Sequence, residues 1–171
     1  ILTKDGVTVI NSYGERVNCV YEHIDWDASA AEKCGYPHFM IKEIMEQPEA
    51  IAKTIAPRIS NGRIELGFKH ITAEMLKKVN SIKIIGCGSA YHVGFVAGYF
   101  MRTALRIPVE SVLASEFRYD DPIVDENTLA IVISQSGETL DTLYGLREAK
   151  KHGAKTIAIV NVVGSTIANE S

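Results

Sequence analysis

Ser134, Gln135, Ser136, Gly137, Glu138 and Thr139 set three hydroxyls and a glycine in six consecutive positions. A hydroxyl can donate to an anionic oxygen while adding no charge of its own. The preceding run, Leu129-Ala130-Ile131-Val132-Ile133, reads as a buried strand. After it, Leu140, Leu143, Leu146 and Ala149 recur every third residue and predict a helix over 138–151. A turn between such a strand and helix aims its amides, that of Gly137 among them, and the positive end of the helix dipole at one point. That arrangement suits a phosphate. A plainer use of the same residues is helix capping by Ser136 or Thr139, with Glu138 in the first turn; one hydroxyl would suffice for it.

These residues must be held by a sheet. A second turn of similar build, Gly86-Cys87-Gly88-Ser89, follows Ile82-Lys83-Ile84-Ile85 and leads into a helix predicted over 90–105. In open parallel sheets, ligands sit beyond the carboxyl ends of the strands where the order reverses, so the two turns could close on one ligand. Short β-branched runs at 82–85, 109–113, 129–133 and 156–160 are mostly separated by helical periodicity. The pattern predicts an α/β fold with a flavodoxin-like parallel sheet and helices on both faces. Gly94, Ala97 and Gly98 would let the helix after the first turn lie close to that sheet. Gly86-x-Gly88 also opens a dinucleotide fingerprint. However, Tyr91 stands where the third glycine belongs and Glu110 falls inside a strand run, so an NAD site is not favoured. Cys87 has no base nearby in sequence and reads as a small residue behind the loop.

The chain of 171 residues is long enough for one sizeable core with a short appendage. Its 18 Lys and Arg against 21 Asp and Glu, a formal charge of −3, give no reason to invoke nucleic acid or an anionic membrane. No apolar run approaches a bilayer span and no secretion signal is evident, so the expected location is the cytoplasm. Cys19, Cys34 and Cys87 are odd in number and lack CxxC spacing, and the five histidines are scattered, so neither a disulfide framework nor a metal site is expected. Near the N-terminus, 1–3, 7–10 and 17–21 suggest short strands that need other protein to lean on. Residues 22–35 read as a polar connector anchored by Trp26. A pair of helices kinked at Pro48 follows, stopped by Pro57 and Asn61-Gly62, and then a short helix capped by Thr72.

The two turns, Gly86-Cys87-Gly88-Ser89-Ala90-Tyr91 and Ser134-Gln135-Ser136-Gly137-Glu138-Thr139, resemble the first sugar isomerase (SIS) domain of the isomerizing glutamine:fructose-6-phosphate amidotransferases. Tyr36-Pro37-His38-Phe39-Met40, with Lys42-Glu43-Ile44 and Glu46-Gln47-Pro48, resembles that family's lead into its isomerase half. Ala114-Ser115-Glu116-Phe117-Arg118-Tyr119 resembles a stretch between the second and third strands of the same domain. The resemblance implies that residues 1–27 are the end of a glutaminase domain, 28–40 a linker, and 41–171 the first SIS domain, ending before its fifth strand. It also implies that Cys87, Gly88, Ser89, Ser134, Gln135, Ser136 and Thr139 hold the phosphate and part of the sugar of fructose 6-phosphate or a related hexose phosphate. Ser89 stands where threonine is common. Ala90 stands where a hydroxyl residue is frequent, which removes one polar contact.

In the family the glutamate base, the imine-forming lysine and the ring-opening histidine belong to a second SIS domain, and the cysteine nucleophile to the glutaminase. No catalytic residue is therefore assigned in this chain, and no cofactor is implied. The implied parent is an enzyme that makes glucosamine 6-phosphate from fructose 6-phosphate and glutamine, with a second copy of the chain as its partner in a homodimer. The other function class is a SIS module that senses a phosphosugar for a regulator. Such a module would carry a basic helix-turn-helix before the sheet, where this chain has strand runs and the Tyr36 to Pro48 segment.

Overall fold

A computed structural model describes residues 1–19, 32–68 and 70–171. They fall into two compact units, Ile1–Leu66 and Gly67–Ser171. Trp26, the end of the strand expected over 17–21 and the start of the expected linker lie outside the described residues.

In the first unit, β1 (Leu2–Thr3) pairs antiparallel with β2 (Gly6–Val7), and β3 (Val9–Ile10) with β4 (Arg16–Val17). The sequence suggested three short strands; the chain instead doubles back at each turn signal into two small hairpins. One helix, α1 (Phe39–Ile55), then runs without a break through Pro48. This corrects the kinked pair expected there. An internal proline forfeits one backbone bond and costs about 3 kcal/mol in an isolated helix. Here helix-forming residues flank it on both sides, and the pairs Lys42–Glu46 at 3.6 Å and Lys53–Glu49 at 2.6 Å brace the turns before and after it. A 3-10 turn, Ala56–Arg58, ends the helix at Pro57. Asn61 and Gly62, both at positive φ (50° and 72°), close a tight hairpin between β5 (Ile59–Ser60) and β6 (Arg63–Ile64).

The second unit opens with α2 (Ala73–Lys77), where the hydroxyl of Thr72 accepts from the Met75 amide at 3.2 Å, the cap its sequence predicts. Four parallel strands follow: β7 (Ser81–Gly86), β8 (Val109–Leu113), β9 (Thr128–Ser134) and β10 (Lys155–Val160). Their order across the sheet is β10-β9-β7-β8, the flavodoxin-like arrangement for four strands, with β7 and β9 adjacent at the point where the order reverses. Alternation along the strands divides the core. Ile82, Ile84, Leu129 and Ile131 face one side with Val109, and α3 (Ser89–Leu105) packs there through Ala97 and Met101. Ile85, Ala130 and Val132 face the other side, under α4 (Ala114–Tyr119), α5 (Leu140–Lys151) and α6 (Thr166–Glu170).

Small residues set the spacing of these layers. A Cβ added at Gly94 would come within 2.7 Å of Ile84 Cγ2 and 2.8 Å of Ser111 Oγ, so α3 lies as close to β7 and β8 as a backbone allows. Gly145 does the same for α5, with Ile85 Cγ2 at 3.0 Å from the position of an added Cβ. Glu110 lies opposite Lys83 in the β7–β8 ladder, and their side chains pair at 2.5 Å. A residue so engaged in mid-strand is not placed as the ribose acceptor of a dinucleotide site.

Candidate functional site

The two turns meet. β7 and β9 run side by side, with Gly86 in register with Ile133, so the turns that follow them emerge together at the carboxyl edge of the sheet. Between them is a cavity of about 280 Å³ lined by Cys87, Ser89, Ala90, Ile133, Ser134, Gln135, Ser136, Thr139 and Thr142. That volume is near the lower end of the range for small-ligand pockets, which begins at about 300 Å³. Six of the seven expected residues lie on its wall. Gly88 does not: it precedes α3 at φ 54° and ψ −128°, a conformation open essentially to glycine, and swings the chain so that Ser89 begins the helix.

Hydrogen bonds within the second turn orient its hydroxyls. Ser134 Oγ accepts from the Gly137 amide at 3.0 Å and lies 3.1 Å from Thr139 Oγ1. Ser136 Oγ accepts from the Glu138 amide at 3.2 Å. The Gly137 amide, expected to point at the anion, is thus spent inside the turn. An oxygen that accepts from a backbone amide keeps its own hydrogen to donate. Ser136 therefore retains one donor, and the Ser134–Thr139 pair, in which one hydroxyl donates to the other, retains a second. Thr139 occupies the N-cap position of α5 without a side-chain capping bond. Ser136 bonds an amide that precedes the helix, so neither hydroxyl serves as its cap. The first amides of a helix lack intrahelical acceptors, and those of α5 start at this turn.

No Lys or Arg lines the cavity, and the one acidic residue in the turn, Glu138, faces away from it. Its carboxylate accepts from the Thr166 amide at 2.7 Å, and bonds from the Thr166 backbone and side chain hold the carboxyl below its ordinary range. The site is thus neutral and rich in donors. Thr142, nearly fully buried, is the polar wall residue that the sequence reading missed. Its hydroxyl contacts Cys87 Sγ at 3.7 Å and joins the two turns across the gap. The available signal was its position three residues after Thr139, one helical turn further along the same face. Among the described residues no group of three His, Cys, Asp or Glu side chains is placed to hold a metal ion.

A four-stranded parallel sheet with a hydroxyl-lined cavity at its reversal point, the place where ligands sit in such sheets, defines an α/β domain of the doubly wound class. The SIS domain model matches residues 75–171, more than half of the chain, and the chain belongs to that family. Curated relatives named glutamine–fructose-6-phosphate aminotransferase (isomerizing) are similar along its whole length. The Clostridium tetani protein is 52% identical over 100% of this chain, and the Clostridium acetobutylicum protein 53% identical over 98%. The chain spans 28% of the length of each of these relatives. Among solved structures, the C-terminal domain of glucosamine-fructose-6-phosphate aminotransferase from Francisella tularensis superposes with a TM-score of 0.75 at 41% identity, covering 82% of this chain and 39% of that one. Glucosamine-6-phosphate deaminase from Thermotoga maritima superposes with a TM-score of 0.60 at 26% identity, over 78% of this chain and 38% of that one.

Proposed function

We propose that this chain is the phosphosugar-holding part of a cytoplasmic isomerizing amidotransferase that forms glucosamine 6-phosphate from fructose 6-phosphate and glutamine. In this reading residues 1–27 end the glutaminase domain, 28–40 link, and 41–171 belong to the first SIS domain. The observation that carries it is the neutral, hydroxyl-lined cavity between the β7 and β9 turns at the N-terminus of α5. The names of relatives that match along the whole chain support the choice of hexose phosphate. Ser136, Thr139 and the first amides of α5 hold the phosphate, Ser134 braces the turn and adds a donor, and Gln135, Ser89 and the Cys87 to Gly88 backbone flank the sugar.

Each neutral donor to a charged oxygen is worth about 1.5–3 kcal/mol, so Ser136→Ala is expected to weaken fructose 6-phosphate binding about tenfold or more. Ser115→Ala, outside the cavity, should leave it unchanged. Titration calorimetry with parallel melting curves decides the matter. Lost stability with intact affinity would show that Ser136 serves the turn alone.

Self-association belongs to the same proposal. Val93, Phe95, Val96, Tyr99 and Phe100 on α3 are each 58–66% exposed, an apolar surface larger than single scattered side chains make. Sedimentation velocity should give an average mass that rises with protein concentration. A monomer at every concentration would sink the homodimer.

A further inference from the structure

The anion turn has a back as well as a front. Its front carries the hydroxyls of Ser134, Ser136 and Thr139. Its back is made of the Gly137 carbonyl and the Glu138 side chain, and both meet the start of α6. The Gly137 carbonyl accepts from the Ile167 amide at 3.0 Å, and Glu138 Oε1 accepts from the Thr166 amide at 2.7 Å. α6 is also fixed from the far end of α5. Arg147 forks onto the Glu170 carboxylate at 2.9 and 2.6 Å, and Lys150 donates to the Glu170 carbonyl. Ile167 is fully buried in the core beneath. The packing of turn against helix is tight enough that Ser165 Oγ, in a residue 4% exposed, has no hydrogen-bond partner. The place where a Gly137 Cβ would stand lies 2.0 Å from that oxygen.

We propose that Glu138 is a positioning residue for the phosphosugar: from outside the cavity it ties the turn to α6 and so holds the Ser136 and Thr139 hydroxyls ready for the ligand. A turn held in its bound geometry loses less freedom when the ligand arrives, and that difference appears as affinity. The placement also explains an acid beside an anion site. Engaged by Thr166, the carboxylate points at amides on the far side of the turn and not at the phosphate. The role requires an acceptor oxygen at this position and no net charge. Glutamine can supply that oxygen; alanine cannot.

This proposal rests on the phosphosugar reading above, and the test separates the two. Fructose 6-phosphate binding is measured by calorimetry on the whole chain, alongside Glu138→Ala, Glu138→Gln and Ser136→Ala, with a thermal melt of each. Glu138→Ala is expected to bind about tenfold more weakly, and Glu138→Gln to stay within about threefold of the unmodified chain, because the amide oxygen still accepts from Thr166. Equal affinity for Glu138→Ala and the unmodified chain, with Ser136→Ala still impaired, overturns the positioning role and leaves the phosphosugar site standing. Equal loss in the glutamine and alanine variants overturns it too, since charge and not the tie would then matter. No binding by the unmodified chain overturns both readings. If Glu138→Ala fails to fold, Thr166→Pro, which removes the donating amide together with the Thr166 hydroxyl and so breaks the tie from the other side, takes its place and should give the same loss.

Discussion

Adding one methyl group at Gly137 is expected to cost about 3 kcal/mol of stability and to remove most of the phosphosugar affinity. Gly137 sits at φ +68°, where a side chain costs about 1–2 kcal/mol. Its new Cβ would also fall 2.0 Å from Ser165 Oγ and 2.5 Å from Ser165 Cβ. Forced overpacking of this kind costs about 1–3 kcal/mol. The backbone at Ser165 cannot retreat easily, because Ile167 is anchored in the core and Glu138 holds the Thr166 amide. The turn must therefore give way, and the hydroxyls on its front move with it. Chemical denaturation of Gly137→Ala, alone and combined with Ser165→Gly, checks the argument. The second change removes the clash and leaves the backbone penalty, so the double variant should regain about half of the loss. A single variant that melts like the unmodified chain would contradict the described turn.

Phe117→Ala is expected to cost about 3–5 kcal/mol. The ring is 1% exposed and packs beneath α5 among Ile85, Ala114 and Leu146, with Cδ1 3.7 Å from where a Gly145 Cβ would stand. A loss of that size is a large fraction of the whole stability of a domain, about 5–15 kcal/mol. Tyr119, two residues on and 76% exposed, is the control. Its alanine variant should unfold within about 0.5 kcal/mol of the unmodified chain, since it empties no cavity. If the two variants unfold alike in urea, α4 does not cover the sheet as described.

Much of the sheet could be read from sequence because its evidence is local. Each strand is a short β-branched run, and each of the two turns is written in consecutive residues. Of the expected wall residues only Gly88 stands off the cavity, and its signal, a glycine next to a hydroxyl, could not tell a lining position from a hinge. What could not be read depends on distant partners. Thr142 reaches Cys87 across 55 positions, and neither residue advertises the other. Thr166 meets Glu138 across 28, so a carboxylate that looked like part of a cap belongs instead to the following helix. Pro48 failed in the opposite way. The local rule was sound, yet the helix continues through Pro48 with an ion pair on either side of it. Asn61-Gly62 was read as a helix stop when its paired positive φ angles make a hairpin.

The strand order also governs when the cavity can come into being as the chain folds. β7 and β9 are neighbours in the sheet, yet Ser81 and Thr128, which open their register, lie 47 positions apart, with β8 and two helices between them in the chain. Parallel pairing at such separations must meet the entropy of loop closure before any contact rewards it, and sheets of this kind form on the slower side of domain folding. The β7–β8 and β9–β10 pairings, each across a single helix, close shorter loops and are available sooner. The two turns face each other only once β9 has docked against β7. The cavity is therefore complete only with the closing of the longest loop in the sheet, and on the proposed phosphosugar reading a chain that has gained its helices but not this pairing should not yet bind hexose phosphate.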